Sequence, residues 1–247
     1  MKEILNNKYF KFTVIISIIL LFSFISVTIY VNDYYHADTE SIASFKSDGT
    51  VLKEINDDNT IVYHKDSSTI GFIFYPGGKV EYTAYEPLMI ELASRGILCV
   101  LVKMPFNLAV LDINAADGVQ SKFQNIKNWY IGGHSLGGAM AATYLSRDNN
   151  TFDGLILLGS YSTSDLSHSD LNVISIYGNQ DKILNQKEYK SNIKNLPSNY
   201  FEYIIDGGCH SYFGVYGMQD GDGIPTISNK EQILITSDLI LNFINSN

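Results

Sequence analysis

The chain has 247 residues, 45% of them hydrophobic and 17% charged, which excludes a disordered or fibrous protein and suits one globular domain with a full core. A formal net charge of -9 sets nucleic acid and anionic lipid surfaces aside as partners for the domain as a whole. Two cysteines, Cys99 and Cys209, make no disulfide framework, so the core must stabilise itself. Cys99 lies inside an apolar run and reads as a small buried hydrophobe.

Residues 12–31 come first. No charge interrupts these 20 positions. At 1.5 Å per residue, a helix of that length spans about 30 Å, the hydrocarbon thickness of a bilayer. Lys2, Lys8 and Lys11 precede the run, and Asp33, Asp38 and Glu40 follow it. The lysines put residues 1–11 in the cytoplasm and the rest of the chain outside. A cleaved signal peptide is the competing reading, but the run is long for one, and Ile29-Tyr30-Val31 offers no small-x-small cleavage site. A buried core helix fits poorly, because the run is apolar all round. The expectation is an uncleaved, single-pass signal anchor over residues 12–31 in the cell membrane, a polar tether over 32–43 and an extracytoplasmic domain over 44–247.

Beyond the tether, Thr50–Ile55 and Thr60–Lys65 read as a hairpin turning at Asn56-Asp57-Asp58-Asn59. The pattern then alternates. Strands are expected at Ile70–Tyr75, Ile97–Val102, Asn128–Gly132, Gly154–Leu158, Asn172–Tyr177 and Tyr200–Ile205. Helical spacing covers Tyr85–Ser94, weakly Ala115–Phe123, then Leu136–Arg147, Leu184–Asn195 and Lys230–Ile244. Ser228-Asn229-Lys230-Glu231 forms a capping box for the last. Near-continuous apolar strands alternating with helices predict an α/β domain with a mostly parallel, doubly wound sheet and an antiparallel N-terminal edge.

The sharpest motif is Gly132-Gly133-His134-Ser135-Leu136-Gly137-Gly138. Gly133-x-Ser135-x-Gly137 matches a nucleophile elbow, whose meaning depends on a strand running in and a helix running out. Trp129-Tyr130-Ile131 and Ala139-Met140-Ala141-Ala142 supply both. The serine would occupy a strained turn that needs glycine on either side, and the following helix would offer N–H groups to a developing oxyanion. The bland alternative is a glycine-rich strand-to-helix turn without chemistry.

With Tyr75-Pro76-Gly77-Gly78-Lys79-Val80, Lys103-Met104-Pro105-Phe106-Asn107-Leu108 and Phe213-Gly214-x-x-Gly217-x-Gln219-x-Gly221-Asp222-Gly223, this motif resembles the α/β-hydrolase superfamily, in a small capless branch with relatives like dienelactone hydrolase. The resemblance runs from about residue 50 to the C-terminus. It implies the α/β-hydrolase fold and a Ser–Asp–His mechanism, and it leaves the substrate open.

In that fold the acid and then the histidine follow the serine along the chain. His210, after the last expected strand, is the expected base, ahead of His168 in a Ser/Asp-rich loop. Asp181, after the penultimate strand, is the expected acid. Asp165 is the reserve, Asp153 lies at the wrong strand end, and Asp206 is close in sequence to His210. As a bland alternative, Asp181 is a turn residue. The N–H of Leu136 is the expected first oxyanion donor. By resemblance the second is Gly78, with Lys79 next.

Cys209 departs from the amide side chain that the resemblance leads one to expect beside the histidine, and in the strand order that the resemblance implies about five strand spacings separate it from the strand of Cys99, too far for a disulfide. Asp220-Gly221-Asp222-Gly223 lacks the later ligands of a calcium loop and reads as a turn. No metal ligand cluster is evident, and no cofactor is expected. The short Gly159–Leu171 stretch argues against a large lid, and Tyr75, Tyr82, Tyr161, Tyr212 and Tyr216 are candidates to line an acyl or aromatic pocket.

These readings imply a serine hydrolase acting on a carboxylic ester or thioester, with a small-molecule or envelope-derived acyl substrate. Acyl transfer or peptide hydrolysis by the same triad, or a non-catalytic binding module, are the alternatives. Nothing in the sequence points to an oligomeric state.

Overall fold

The computed structural model describes residues 8–45, 49–57, 59–147 and 151–246. The chain forms two compact units, Met1–Tyr34 and Tyr35–Asn247. The first is built on α1 (Lys8–Asn32), a 25-residue helix with no buried residue. At 1.5 Å per residue it is about 37 Å long, and by length and composition it is long and apolar enough to cross a membrane. Three of its polar side chains bond within the helix. Thr13 Oγ1 donates to the Tyr9 carbonyl at 3.0 Å, Thr28 Oγ1 to that of Phe24 at 2.8 Å, and Asn32 Nδ2 to that of Thr28 at 2.8 Å. Such back-bonding spares the hydroxyls and amide a need for water. The expected span of 12–31 lies inside α1; residues 1–7 lie outside the described residues.

The second unit carries an eight-stranded sheet in the order β1-β2-β4-β3-β5-β6-β7-β8. Its strands are β1 (Leu52–Asp57), β2 (Thr60–His64), β3 (Ile70–Tyr75), β4 (Ile97–Val102), β5 (Asn128–His134), β6 (Gly154–Leu158), β7 (Asn172–Gly178) and β8 (Tyr200–Ile205). The β1–β2 and β2–β4 pairs are antiparallel and the rest parallel. This is the mixed sheet expected, with its antiparallel edge at the N-terminal side. The hairpin turn falls where expected, although Asp58 lies outside the described residues.

Strand periodicity divides the core in two. Phe72, Phe74, Tyr130, Ile156 and Leu158 join one hydrophobic cluster, and Ile73, Tyr75, Trp129, Ile131, Leu155 and Leu157 join the other. Alternate residues of a strand point to opposite faces, so runs buried on both faces need helices on both. On the first face, α3 (Glu86–Ser94) and α7 (Asn229–Ser246) contribute Leu88, Leu92, Ile233 and Ile240. On the second, α5 (Leu136–Leu145) contributes Ala141, Ala142 and Leu145. Ser228 caps α7 as expected, its Oγ accepting from Glu231 N–H at 3.2 Å. The weak helix expected over 115–123 shrinks to α4 (Val119–Lys122), led in by turns. The helix expected over 184–195 becomes α6 (Gln186–Asn192) plus one 3₁₀ turn.

The stretch expected as a tether becomes structured from Tyr35. Tyr35 forms a parallel bridge with Val80. Asp38 caps α2 (Thr39–Ser44) by accepting from Ser41 N–H at 3.0 Å. Tyr35, Ala37, Ile42 and Phe45 pack on the first core cluster. Their partners lie far along the chain, so local polarity alone reads as linker.

Candidate active site

The elbow is set by close backbone approach. Ser135 joins β5 to α5 with φ 52° and ψ -121°, a strained conformation for a residue with a Cβ. Its N–H donates to the Leu158 carbonyl at 2.9 Å, and its own carbonyl accepts from Ser160 Oγ at 2.6 Å. Both bonds anchor the turn to the end of β6. A Cβ on Gly133 would lie 2.3 Å from the Tyr75 carbonyl oxygen, and one on Gly137 2.2 Å from the same atom. Neither position admits a side chain. The serine side chain makes no capping bond to α5, leaving its hydroxyl free for chemistry.

The structure brings His210 and Asp181 together. His210 Nδ1 lies 2.8 Å from Asp181 Oδ2, and both side chains are almost fully buried. The other oxygen, Oδ1, accepts from the N–H groups of Ile183 at 2.9 Å and Leu184 at 2.8 Å, which orients the carboxylate. His210 Nε2 is buried and makes no hydrogen bond. Ser135 and His210 line one cavity of about 400 Å³, with Met140, Tyr161, Ile183 and Leu184 among its walls. Gly159, at φ +51°, closes the back: a Cβ there would stand 2.9 Å from His210 Nδ1 and 3.2 Å from Asp181 Oδ2.

The alternatives are engaged elsewhere. Asp165 is exposed and accepts from the N–H and hydroxyl of Ser167. Asp153 bonds Trp129 N–H at the start of β5. Asp206 accepts from Asn179 Nδ2. His168 is exposed.

The loop after β3 has three successive N–H groups to place. That of Gly77 donates to Tyr85 Oη at 3.1 Å, and that of Lys79 to the Asn107 carbonyl at 2.8 Å. The Gly78 N–H between them has no hydrogen bond among the described residues. Gly78 also lies against Leu136, whose Cδ2 would be 2.9 Å from a Cβ there. Leu136 opens α5, so its N–H has no acceptor within the helix. Two available donors therefore border Ser135, and Lys79 is not one of them.

Several residues that the sequence reading passed over hold this assembly. Gln232 on α7 clasps Cys209 from both sides, accepting from its N–H at 2.9 Å and donating to its carbonyl at 2.8 Å. Asp222, expected only in a turn, spans two loops. Its Oδ2 accepts from the N–H of Ser211 at 2.8 Å and its hydroxyl at 2.7 Å, and its Oδ1 from Lys182 N–H at 3.3 Å. Lys182 follows Asp181 and Ser211 follows His210. Burial alone would raise the Asp222 pKa, but the bonds from Ser211, Gly223 and Lys182 outweigh it and hold the carboxyl below its usual 3.8.

His134, the variable position of the elbow, is buried. Its Nδ1 is 2.8 Å from Tyr85 Oη. Burial first, and the neighbouring His210 second, push its pKa well below the ordinary 6.5. Cys209 is fully buried, and burial followed by the nearby Asp222 charge pushes its thiol up to about 12, which makes it inert. Both cysteines are free.

Of the five tyrosines expected as pocket candidates, only Tyr161 lines the cavity. Tyr75 instead bonds the Ile113 carbonyl and Ala116 N–H in the core, and Tyr216 is buried. Among the described residues, no group of three or more His, Cys, Asp or Glu side chains is placed to hold a metal ion.

Comparison with known proteins agrees with this architecture. No curated protein matches the chain. Among solved structures, one described as a predicted CIB-like hydrolase from Thermoplasma acidophilum superposes with a TM-score of 0.57 at 16% identity, covering 78% of this chain and 98% of that one. At that identity the likeness speaks for the fold alone. A model described as the alpha/beta hydrolase family matches residues 71–234, more than half of the sequence. The chain belongs to the alpha/beta hydrolase family, and hydrolysis is the activity that membership indicates.

Proposed function

We propose that this hydrolase cleaves a carboxylic ester or thioester through an acyl-enzyme on Ser135. The observation that carries the reading is the arrangement of His210. One ring nitrogen is tied to Asp181 at 2.8 Å, and the other is unbonded at the cavity that Ser135 also lines. His210 takes the Ser135 proton as the hydroxyl oxygen attacks the carbonyl carbon. The carbonyl oxygen becomes an oxyanion, met by the N–H groups of Leu136 and Gly78. When the tetrahedral intermediate collapses, the bond to the leaving group breaks and His210 returns the proton to it. Water, deprotonated by His210, then attacks the acyl carbon; the bond to Ser135 Oγ breaks, the acid leaves and His210 returns the proton to Ser135. Asp181 holds the imidazole in the required tautomer and stabilises the imidazolium.

The cavity suits a modest acyl group. Its volume lies in the range of small-ligand sites, and Met140, Ile183 and Leu184 give it apolar walls. Residues 12–31 of α1 anchor the chain in the cell membrane, with Lys8 and Lys11 before the span placing the hydrolase domain outside the cytoplasm.

A fluorophosphonate probe should label the full chain on Ser135 and leave Ser135→Ala unlabelled. Persistent labelling of that variant would end the assignment. For the anchor, external protease should reach the hydrolase domain in intact cells while the chain stays in the membrane fraction. Recovery of a chain that begins after residue 31 would contradict retention.

A further inference from the structure

Tyr35 touches both loops that border the elbow, although it lies outside the matched family region. Its N–H donates to the Lys79 carbonyl at 2.8 Å, and its carbonyl accepts from Glu81 N–H at 2.9 Å. This two-bond bridge grips the chain immediately after Gly78. Its side chain reaches the other loop: Tyr35 Oη accepts from Asp220 N–H at 3.1 Å, in the turn whose Asp222 holds Ser211. The Tyr35 ring packs at a tilt against Tyr216, centroids 5.7 Å apart, and Tyr216 against Tyr85 at 6.5 Å. Tyr85 in turn holds Gly77 N–H. Neighbouring bonds repeat the pattern, with Ala37 N–H donating to Glu81 Oε2 at 3.0 Å and Asp38 N–H to the Val215 carbonyl at 2.9 Å.

We infer that Tyr35 is a positioning residue of the oxyanion hole, clamping the Gly77–Val80 loop to the loop that carries His210. The inference rests on the proposed role of Gly78. The physical need is plain: an oxyanion donor helps only if it is held where the negative charge develops, and β3 restrains this loop from its N-terminal side alone. The bridge from Tyr35 supplies restraint from the C-terminal side. Only Asp33 and Tyr34 separate the end of α1 from Tyr35, so the chain enters its hydrolase domain at this clamp.

The test compares the full-length chain with Tyr35→Pro, which lacks the N–H that bonds Lys79, and with Tyr35→Phe, which keeps the backbone bridge and ring. Each is assayed for ester hydrolysis and for inhibition by a trifluoromethyl ketone, which forms a tetrahedral adduct with the serine. Tyr35→Pro should lose tenfold or more in kcat/KM, with KM little changed and the inhibition constant rising by a similar factor. Tyr35→Phe should lose only a few-fold. A proline variant within twofold of the wild type would overturn the clamp, as would a loss of turnover without weaker ketone binding. If the proline variant fails to fold, Tyr35→Ala, which keeps the backbone bridge but removes the ring and hydroxyl that reach Tyr216 and Asp220, decides in its place: a loss in kcat/KM and in ketone affinity larger than that of Tyr35→Phe supports the clamp, and values within twofold of the wild type overturn it. Failure of the native chain to react with the fluorophosphonate would instead remove the underlying serine mechanism.

Discussion

The imidazole of His134 lies beside that of His210, ring centroids 4.4 Å apart and planes 48° from each other. His134 Nδ1 is 2.8 Å from Tyr85 Oη, which also accepts from Gly77 N–H, while its Nε2 is buried without a hydrogen bond, and burial disfavours a charge on the ring. His134 is therefore neutral. A second cation beside His210 would oppose the imidazolium that the proposed mechanism forms. Because its pKa is depressed, the unfolded chain binds more protons than the folded one below 6.5. The stability from a neutral His134 is thus complete above 6.5 and is lost as pH falls below it. Between pH 7 and 5 this group should contribute a decline of up to about 1.4 kcal/mol per pH unit. Denaturant titrations should show a shallower decline in His134→Gln, and identical pH slopes would exonerate His134.

Asp181→Asn should keep its loop and lose its chemistry. The amide oxygen can replace Oδ1 in accepting from Ile183 and Leu184, while the NH₂ group would face His210 Nδ1 and impose the wrong tautomer. The expected result is a fall in kcat of roughly 10³–10⁴-fold with KM little changed. Steady-state kinetics on an activated ester measures both, and a kcat within tenfold of wild type would remove Asp181 as the acid.

Gly159→Ala combines two penalties. The left-handed φ costs a residue with a Cβ about 1–2 kcal/mol. The added methyl also meets the His210 ring and the Asp181 carboxylate at once. Activity should fall at least tenfold, beyond what the loss of thermal stability explains. Full activity in a folded variant would show that the pair can shift without harm.

Asp222→Asn tests the link between the acid and base loops. Replacing one carboxylate oxygen by NH₂ sets a donor against Ser211 N–H or against Lys182 N–H. Losing charge-assisted bonds of this kind should cost about 1–3 kcal/mol in unfolding free energy. Turnover should fall with KM preserved. Because the native carboxyl titrates below 3.8, the wild-type contribution is present above that value and disappears as pH falls through the lower native pKa. The stability gap between wild type and variant should therefore narrow in strong acid.

Met140 lines the cavity that Ser135 and His210 share, which the proposed reading makes the acyl site. Shortening it to alanine enlarges the apolar space, so Met140→Ala should move the optimum of a chain-length series toward longer acyl groups. An unchanged optimum across C2 to C10 esters would place the acyl group elsewhere.

Much of this arrangement was legible because its signals are local. Ser135 sits between glycines that only a strained turn requires, and strand and helix patterns flank it within a few residues. The apolar runs of β3, β4 and β6 declared strands buried on both faces. His210 and Asp181 followed from chain order and from their places after β8 and β7. Their pairing at 2.8 Å nevertheless depends on two loops meeting across the sheet's end. The tyrosine reading went astray for a related reason: proximity to a loop says nothing of which way a ring points, and Tyr75 and Tyr216 turned into the core.

What the sequence determined by itself was the order of elements, the α/β alternation, the elbow and a helix long enough for a bilayer, all written in periodicities and spacings of a few residues. Tertiary structure alone decided the rest. It committed the N–H groups of Gly77 and Lys79 and left that of Gly78 open, made Asp222 a link between loops as well as part of a turn, and drew Tyr35 out of an apparent tether onto Lys79 and Asp220. Those outcomes depend on hydrogen bonds between residues as many as 185 positions apart. Such bonds leave no local pattern, because their partners become neighbours only when the sheet and its helices have packed.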